Sequence, residues 1–376
     1  MINSIEIFSG AGGLAKGLEM AGVKHNALVE WNADACETLR NNYDPSLVYE
    51  GDVRNFNFSV YSDINIIAGG PPCQPFSLGG KAQGNNDERD MFPSAISAIR
   101  SLKPQAFIFE NVKGLLRKSF AEYFRYILLQ LSYPDWLQKH DDWRENLQDL
   151  EEIHRTHTVP TGYNVTYKLV NAADYGIPQI RERVVIVGFR NDIDVKWTFP
   201  KATHSKDALL WSKFVTNEYW NRHNLKNNAS AGLYEKTQKA LMDKYGMFKP
   251  TTKPWVTVRD ALRSLGEPNN IGDHVLRDGA KEYPGHTGSN IDEPSKTIKA
   301  GSHGVPGGEN MIRYPDGYVR YYTIAEAKRI QTFPDEYIIK GTWTEAMRQL
   351  GNAVPVELAE IVAKSVVAAL SGSVRN

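Results

Sequence analysis

Short apolar runs alternate with amphipathic stretches through the first half of the chain. Ile5-Glu6-Ile7-Phe8 reads as a strand and residues 13–21 as a helix; Ala27-Leu28-Val29 reads as a strand and residues 33–42 as a helix. The same alternation continues with a strand over 64–68, a helix over 93–102 and a strand at Ala106-Phe107-Ile108-Phe109. Val184-Val185-Ile186-Val187 is an unbroken apolar run of the kind buried inside a sheet. Strands alternating with helices predict βαβ units and a largely parallel sheet covered on both faces. Residues 141–152 are acidic with helical spacing and read as an exposed helix inserted between two strands.

The pattern changes near Trp197. From there to about Tyr321 the chain is polar, rich in Gly, Pro, Asn and His, and weakly periodic, which predicts a smaller irregular domain. Helical periodicity returns over 323–331 and again over 355–370, where an Ala/Val/Leu face should pack back on the sheet.

Composition narrows the classes. A chain of 376 residues with 41% hydrophobic and 23% charged residues has room for one large or two ordinary globular domains. Lys+Arg and Asp+Glu both number 44, which excludes a uniformly basic coat but not a local basic groove. Between residues 201 and 320 there are 18 Lys/Arg against 13 Asp/Glu, a modest excess suited to an anionic partner. Two cysteines, Cys36 and Cys73, make neither a disulfide framework nor a four-cysteine zinc site. His154 and His157 form a close histidine pair with no cysteine nearby, so no metal is expected. The N-terminus enters the first strand without a basic, apolar leader, and no run reaches membrane-helix length. The expected compartment is the cytoplasm, with no membrane partner.

Candidate chemistry gathers at strand ends. Phe8-Ser9-Gly10-Ala11-Gly12-Gly13-Leu14 lies where the first strand becomes the first helix, and Gly10, Gly12 and Ala15 satisfy G-x-G-x-x-A. Glu30 ends the second strand, placed to hold ribose hydroxyls; Trp31 offers a flat face to an adenine ring; Asp52 could accept an adenine amino group. This nucleoside pocket fits NAD, FAD or S-adenosylmethionine equally well. Cys73 sits in the proline-stiffened loop Gly69-Gly70-Pro71-Pro72-Cys73-Gln74-Pro75-Phe76-Ser77, the setting of a nucleophile, whereas Cys36 reads as a small buried hydrophobe. Residues 78–89 are polar and glycine-rich, a candidate lid. Glu110 closes an apolar strand, where a carboxylate needs a partner. Arg181 and Arg183 share one side of an extended chain and suit the oxygens of an anionic or pyrimidine-like substrate.

Taken together, FSGAGGL at 8–14, GPPCQPFS at 70–77, Glu110-Asn111-Val112, QIRER at 179–183, RYYTIAEAKRIQTFPD at 320–335 and GNAV at 351–354 resemble the bacterial cytosine-5 DNA methyltransferases of restriction–modification systems, over nearly the whole chain and in the family's order. The resemblance implies a Rossmann-like S-adenosylmethionine-dependent α/β sheet over 1–195, completed by 325–376, with a target-recognition domain over 196–324. It implies S-adenosylmethionine as methyl donor and S-adenosylhomocysteine as product. Phe8, Ser9, Gly10, Ala11, Gly12, Gly13, Leu14, Glu30, Trp31, Asp52, Val53, Asn352 and Val354 would bind the cofactor. Cys73 would be the nucleophile, Glu110 would act at N3 and the exocyclic amine of the target cytosine, and Arg183 would contact O2 with Arg181 nearby. Gln74, Ser77, Lys81, Arg89 and Thr297 would contact DNA, Thr297 by supporting the flipped nucleotide. The partners implied are double-stranded DNA and, functionally, a restriction endonuclease of the same specificity; the chain is expected to act as a monomer at the nucleoid. No function is carried onto the long segment 118–161.

Three other readings compete. A tRNA-modifying cytosine-5 methyltransferase shares the catalytic set, but that branch typically has a Cys-Phe-Thr element and no cysteine follows Cys73 here. A nicotinamide or flavin oxidoreductase explains the glycine turn and leaves the other motifs unexplained. A non-catalytic DNA-binding protein leaves Cys73, Glu110 and Arg183 without purpose.

Overall fold

The computed structural model describes residues 2–72, 90–227, 231–284, 286–300 and 310–373. The chain divides into two compact units. Unit 1 comprises Met1–Val170, Glu182–Pro200 and Glu336–Asn376; unit 2 comprises Asn171–Arg181 and Lys201–Asp335.

Unit 1 is an α/β structure. Its strands are β1 (Asn3–Ile7), β2 (Lys24–Glu30), β3 (Val48–Glu50), β4 (Ile66–Gly69), β5 (Ala106–Val112), β6 (Tyr163–Asn171) and β7 (Glu182–Arg190). Among the described residues they form a seven-stranded sheet in the order β3-β2-β1-β4-β5-β7-β6. The first five run parallel, while β7 is antiparallel to β5. The apolar run in β7 is fully enclosed between β5 and β6, as its composition predicts. β6, with alternating rather than continuous apolar positions, is an element the hydrophobic pattern did not announce.

Helices α1 (Gly13–Met20), α2 (Ala33–Asn42), α3 (Phe92–Leu102), α4 (Ala121–Ser132) and α5 (Trp143–Thr156) connect the strands. Asn32 caps α2 by accepting from the Ala35 amide at 3.0 Å. α5 corrects one expectation: the acidic stretch is not simply exposed. Trp143, Asn146, Leu147 and Leu150 are buried at the spacing of one helix face, and its aromatic contacts join Trp143 to Tyr123 and Tyr126 of α4. The acidic residues occupy the other face, which dominates the composition and hides the apolar stripe.

A buried polar strut braces α1 against the sheet. The Ala15 carbonyl can only accept, so His25 Nε2–H donates to it at 2.9 Å, and His25 Nδ1 accepts from the Ser4 hydroxyl at 3.0 Å. Burial lowers the His25 pKa and keeps this ring neutral. The C-terminal helix Val356–Ser373 packs closely on α1 at Gly17: a Cβ added there would meet the Ala359 Cβ and fall 2.7 Å from the Glu360 amide nitrogen.

Among its described residues, unit 2 contains four helices in a stretch read as irregular, Lys206–Phe214, Glu218–Arg222, Ala231–Tyr245 and Val258–Leu262. Their apolar faces are short and interrupted by charge, so periodicity was weak. A buried ionic hub holds the first two: Lys213 Nζ reaches Glu293 at 2.8 Å, Arg259 Nε reaches Asp292 at 2.6 Å, and the Tyr219 hydroxyl donates to Asp292 at 2.8 Å. Strands Met311–Arg313 and Val319–Tyr321 form an antiparallel pair, with Ser289–Asn290 parallel on the other side. Among the described residues no helix is long and apolar enough to cross a membrane.

Candidate functional site

Parallel register brings the candidate residues of unit 1 to one sheet edge. Ile7 pairs with Val29 and with Gly69, Glu30 with Glu50, and Gly69 with Phe109. The chain therefore leaves β1, β2, β3, β4 and β5 along the same carboxyl edge, into the glycine turn, Glu30-Trp31, Gly51-Asp52, the proline-cysteine loop and Glu110-Asn111-Val112. Strand order reverses between β1 and β4, so the crevice at the ends of these two strands lies between the glycine turn and the proline-cysteine loop. Open α/β sheets bind ligands at such a switch point.

The glycine turn is tightly built. Phe8 has φ 58°, a left-handed conformation uncommon for an aromatic residue, followed by Gly10 at 54° and Gly12 at 80°. Ser9 Oγ donates to the Glu6 carbonyl at 3.2 Å, and the Gly12 amide to the Ser9 carbonyl at 2.9 Å. Ala11 and Leu14 are buried, and Gly13 begins α1. The Tyr337 hydroxyl donates to the Ala11 carbonyl at 2.7 Å, and a Cβ on Gly12 would lie 2.4 Å from that hydroxyl oxygen. Tyr337 thus ties the C-terminal segment to the loop, a role no feature of the sequence announced.

Glu30 organises the neighbouring backbone. Its Oε2 accepts from the Gly10 amide at 2.7 Å, and its Oε1 from the Trp31 and Asn32 amides at 2.9 Å each. One lone pair of Oε2 remains for a further donor. Trp31 is 79% exposed, a large flat apolar surface beside that carboxylate. Asp52 caps the short turn Val53–Asn55, and Arg54 and its amide hold the Asp52 carboxyl below its usual range. Val53 is buried in the core, Asn352 ends the helix Trp343–Asn352 in an exposed position, and Val354 is buried just beyond it.

Across the switch point, Glu110 and Arg183 meet. Glu110 pairs with Val185 and Val112 with Arg183, so Arg183 is the diagonal neighbour of Glu110 on the same sheet face. Arg183 Nε lies 2.6 Å from Glu110 Oε1, and both side chains are 12% exposed. Oε1 is buried, yet no donor among the described residues is aligned on it in hydrogen-bond geometry. Gly70, in the loop after β4, runs beside the same carboxylate: a Cβ there would lie 3.6 Å from Glu110 Oε2.

Arg181 does not lie on the strand with Arg183. β7 begins at Glu182; Arg181 belongs to unit 2, is fully buried there, and its Nη1 donates to the Ile298 carbonyl at 3.2 Å. Thr297, also in unit 2, donates its hydroxyl to the Ile180 carbonyl at 2.8 Å. Cys73, Gln74, Ser77, Lys81 and Arg89, with the lid expected over 78–89, lie outside the described residues, as does the glycine-rich stretch 301–308. The chain on either side of 73–89 is anchored: Asn111 Nδ2 donates to the Pro71 carbonyl at 3.0 Å, and the Met91 amide to the Pro72 carbonyl at 3.1 Å. Cys36 is buried in α2, and burial pushes its thiol up to about 12.

Comparison with known proteins places this arrangement. Residues 2–368 match the family model described as C-5 cytosine-specific DNA methylase. The chain is 32% identical over 373 residues to the type II methyltransferase M.NgoMIV of Neisseria gonorrhoeae, covering 98% of this chain and 97% of the relative. It is 33% identical over 384 residues to the type II methyltransferase M.Eco47II of Escherichia coli, covering 96% and 78%. Solved structures share the fold. A DNA modification methyltransferase encoded within an E. coli prophage superposes with a TM-score of 0.59 at 22% identity, covering 99% and 100%. The S. pombe Dnmt2 methyltransferase superposes at 0.57 and 15% identity, covering 99% of each chain.

Proposed function

Because this chain belongs to the C-5 cytosine-specific DNA methylase family, we propose a residue-level account of how it methylates carbon 5 of cytosine in DNA. S-Adenosylmethionine is the methyl donor, and when bound it supplies an electrophilic sulfonium methyl group. The residues at the carboxyl edge suit it. Glu30 keeps acceptor capacity for ribose hydroxyls, Trp31 presents a face for adenine, and the Phe8–Leu14 turn, Asp52, Val53, Asn352 and Val354 complete the pocket.

Cytosine carbon 5 is a poor nucleophile. The Cys73 thiolate adds to carbon 6, and the electron pair of the 5,6 double bond shifts onto carbon 5 to make an enamine. Glu110, by proton donation or hydrogen bonding at N3 and by accepting from the exocyclic amine, stabilises the charge that develops. Arg183 holds the Glu110 carboxylate and contacts O2 of the base. After carbon 5 is methylated, a base takes its proton and the thiolate is expelled, restoring the aromatic ring. The reacting atoms are shielded in a stacked duplex, so the base is flipped out at a cost of about a few kcal/mol.

The observation that carries this account is the Glu110 carboxylate held at the end of β5 by Arg183, whose Nε lies 2.6 Å from Oε1. A carboxylate held there by one cation is suited to receive an N–H from a base.

Unit 2 is proposed to read the DNA sequence, with basic side chains on phosphates, loops on base edges and Thr297 supporting the flipped nucleotide. Arg181, buried against Ile298, is proposed to shape that segment. The type II relatives support a protective role on DNA, beside an endonuclease of the same specificity; the chain is proposed to act as a monomer in the bacterial cytoplasm.

Bisulfite sequencing of DNA from a methylation-free host expressing the chain tests the account. Conversion-resistant cytosines in one short motif are expected, lost with Cys73→Ser. Full methylation by the Cys73→Ser variant overturns the nucleophile assignment. Complete conversion in the presence of folded protein that binds S-adenosylmethionine redirects the search to RNA.

A further inference from the structure

We propose that Gln179 is a positioning residue that sets Thr297 for its contact with the DNA backbone. The proposal rests on the role given above to Thr297.

Three hydrogen bonds, two of them forming one parallel bridge, lay the segment carrying Thr297 along the stretch before β7. The Ser295 amide donates to the Pro178 carbonyl at 2.8 Å, the Ile180 amide to the Ser295 carbonyl at 2.8 Å, and the Thr297 hydroxyl to the Ile180 carbonyl at 2.8 Å; Gln179 and Ser295 pair as a parallel bridge. Side chains then take both polar groups of the next residue. Gln179 Oε1 accepts from the Ile298 amide at 3.1 Å, and Arg181 Nη1 donates to the Ile298 carbonyl at 3.2 Å.

Gln179 is fully buried, and its amide orientation is dictated by these partners. Only the oxygen can accept from an N–H, which directs Nε2 outward to donate to Gln331 Oε1 at 2.9 Å, with the Ile330 carbonyl at 3.4 Å. One side chain therefore joins the Thr297 segment to the C-terminal end of the helix Ile324–Ile330. On the far side Asn310 completes the clamp: its Oδ1 accepts from the Lys299 amide and its Nδ2 donates to the Lys299 carbonyl, each at 2.9 Å. Two amide side chains thus hold the backbone of the two residues that follow Thr297. Loss of Gln179 leaves the Ile298 N–H buried without its acceptor, and the backbone relieves this only by shifting, which carries Thr297 with it.

A cognate duplex mapped by bisulfite conversion gives KM and kcat, and the same duplex with 2-aminopurine in place of the target cytosine reads base flipping. Gln179→Leu fills the same volume without polar atoms, and Gln179→Met provides a more adaptable variant if the first does not fold. The expected result is a KM for DNA raised about tenfold, as for one lost buried hydrogen bond, weaker 2-aminopurine fluorescence, and kcat at saturating DNA within about threefold of wild type. S-Adenosylmethionine affinity stays unchanged. A folded variant with wild-type KM for DNA and fluorescence overturns the proposal, as does an equal loss of cofactor affinity. Thr297→Ala is run alongside. If that change leaves DNA binding and fluorescence intact, the role of Thr297 itself fails. If Thr297→Ala lowers both and the Gln179 variants do not, the positioning role alone fails.

Discussion

Asn111 donates its side-chain amide to the Pro71 carbonyl at 3.0 Å, joining the end of β5 to the loop that leads into Cys73. The donor is buried and its own oxygen accepts from the Val112 amide at 2.8 Å, so both ends of the side-chain amide are engaged. Asn111→Ala leaves the Pro71 carbonyl without this donor and releases the loop two residues before the nucleophile. The expected loss of stability is about 1–3 kcal/mol. A misplaced nucleophile should lower kcat by about tenfold to a hundredfold. Urea unfolding and turnover at saturating DNA and S-adenosylmethionine check the two parts separately, and an unchanged kcat would sink the anchoring role.

Glu110→Gln preserves the volume beside Gly70 and removes the charge that Arg183 holds. A residue acting at N3 should cost about 10²- to 10⁴-fold in kcat when its acid–base capacity is removed, with S-adenosylmethionine affinity intact. Single-turnover methyl transfer from labelled S-adenosylmethionine measures it. A loss smaller than threefold would reduce Glu110 to a structural partner of Arg183.

The two cysteines should differ sharply toward alkylation. With the Cys36 thiol pushed up to about 12, its thiolate fraction at pH 8 is on the order of 10⁻⁴, and its sulfur is buried. Reactivity at Cys36 rises only as pH climbs toward that value. In folded protein at pH 8, iodoacetamide is therefore expected to label one site, absent in Cys73→Ser, and to reach Cys36 after denaturation. Mass spectrometry of the labelled peptides decides it; rapid labelling of Cys36 in the native state would contradict its burial.

Gly12→Ala probes the cofactor turn. The backbone at φ 80° disfavours a side chain, and the new Cβ would meet the Tyr337 hydroxyl oxygen at 2.4 Å and Leu39 Cδ2 at 2.9 Å. Backbone strain and overpacking together should cost about 2–4 kcal/mol. Binding of S-adenosylmethionine should weaken as the turn shifts, measured by calorimetry beside denaturant unfolding. Wild-type affinity and stability would show that the turn tolerates the displacement.

Much of unit 1 was legible because its physics is local. Apolar runs of buried parallel strands and the glycines of a left-handed turn act over a few residues, and register then carries Glu30 and Glu110 to one edge. The Arg183–Glu110 pair could be anticipated only as two polar residues near strand ends, since their meeting depends on antiparallel pairing between β5 and β7. Arg181 shows the limit of alternation: two residues from Arg183, it lies outside the strand and is buried in unit 2. The helices Lys206–Phe214 and Glu218–Arg222 of unit 2 were missed because the ionic hub that holds them has members far apart in sequence, whereas Ile324–Ile330 of the same unit was legible from its periodicity. Tyr337, Gln179 and Asn310 act through side-chain hydrogen bonds to segments distant along the chain, for which periodicity offers no signal.

The close contact of α1 with the C-terminal helix at Gly17 has a consequence for biosynthesis. Helix α1 is covered by a helix translated long after it, and Tyr337, which steadies the glycine turn, also emerges late. A nascent chain on the ribosome holds its sheet strands before it holds the cover for α1. Competence to take up the methyl donor should therefore arise only once residues 337–373 have emerged. By the same logic, residues 1–335 and 336–376 supplied as separate polypeptides are natural halves for a split enzyme whose activity depends on their reassociation.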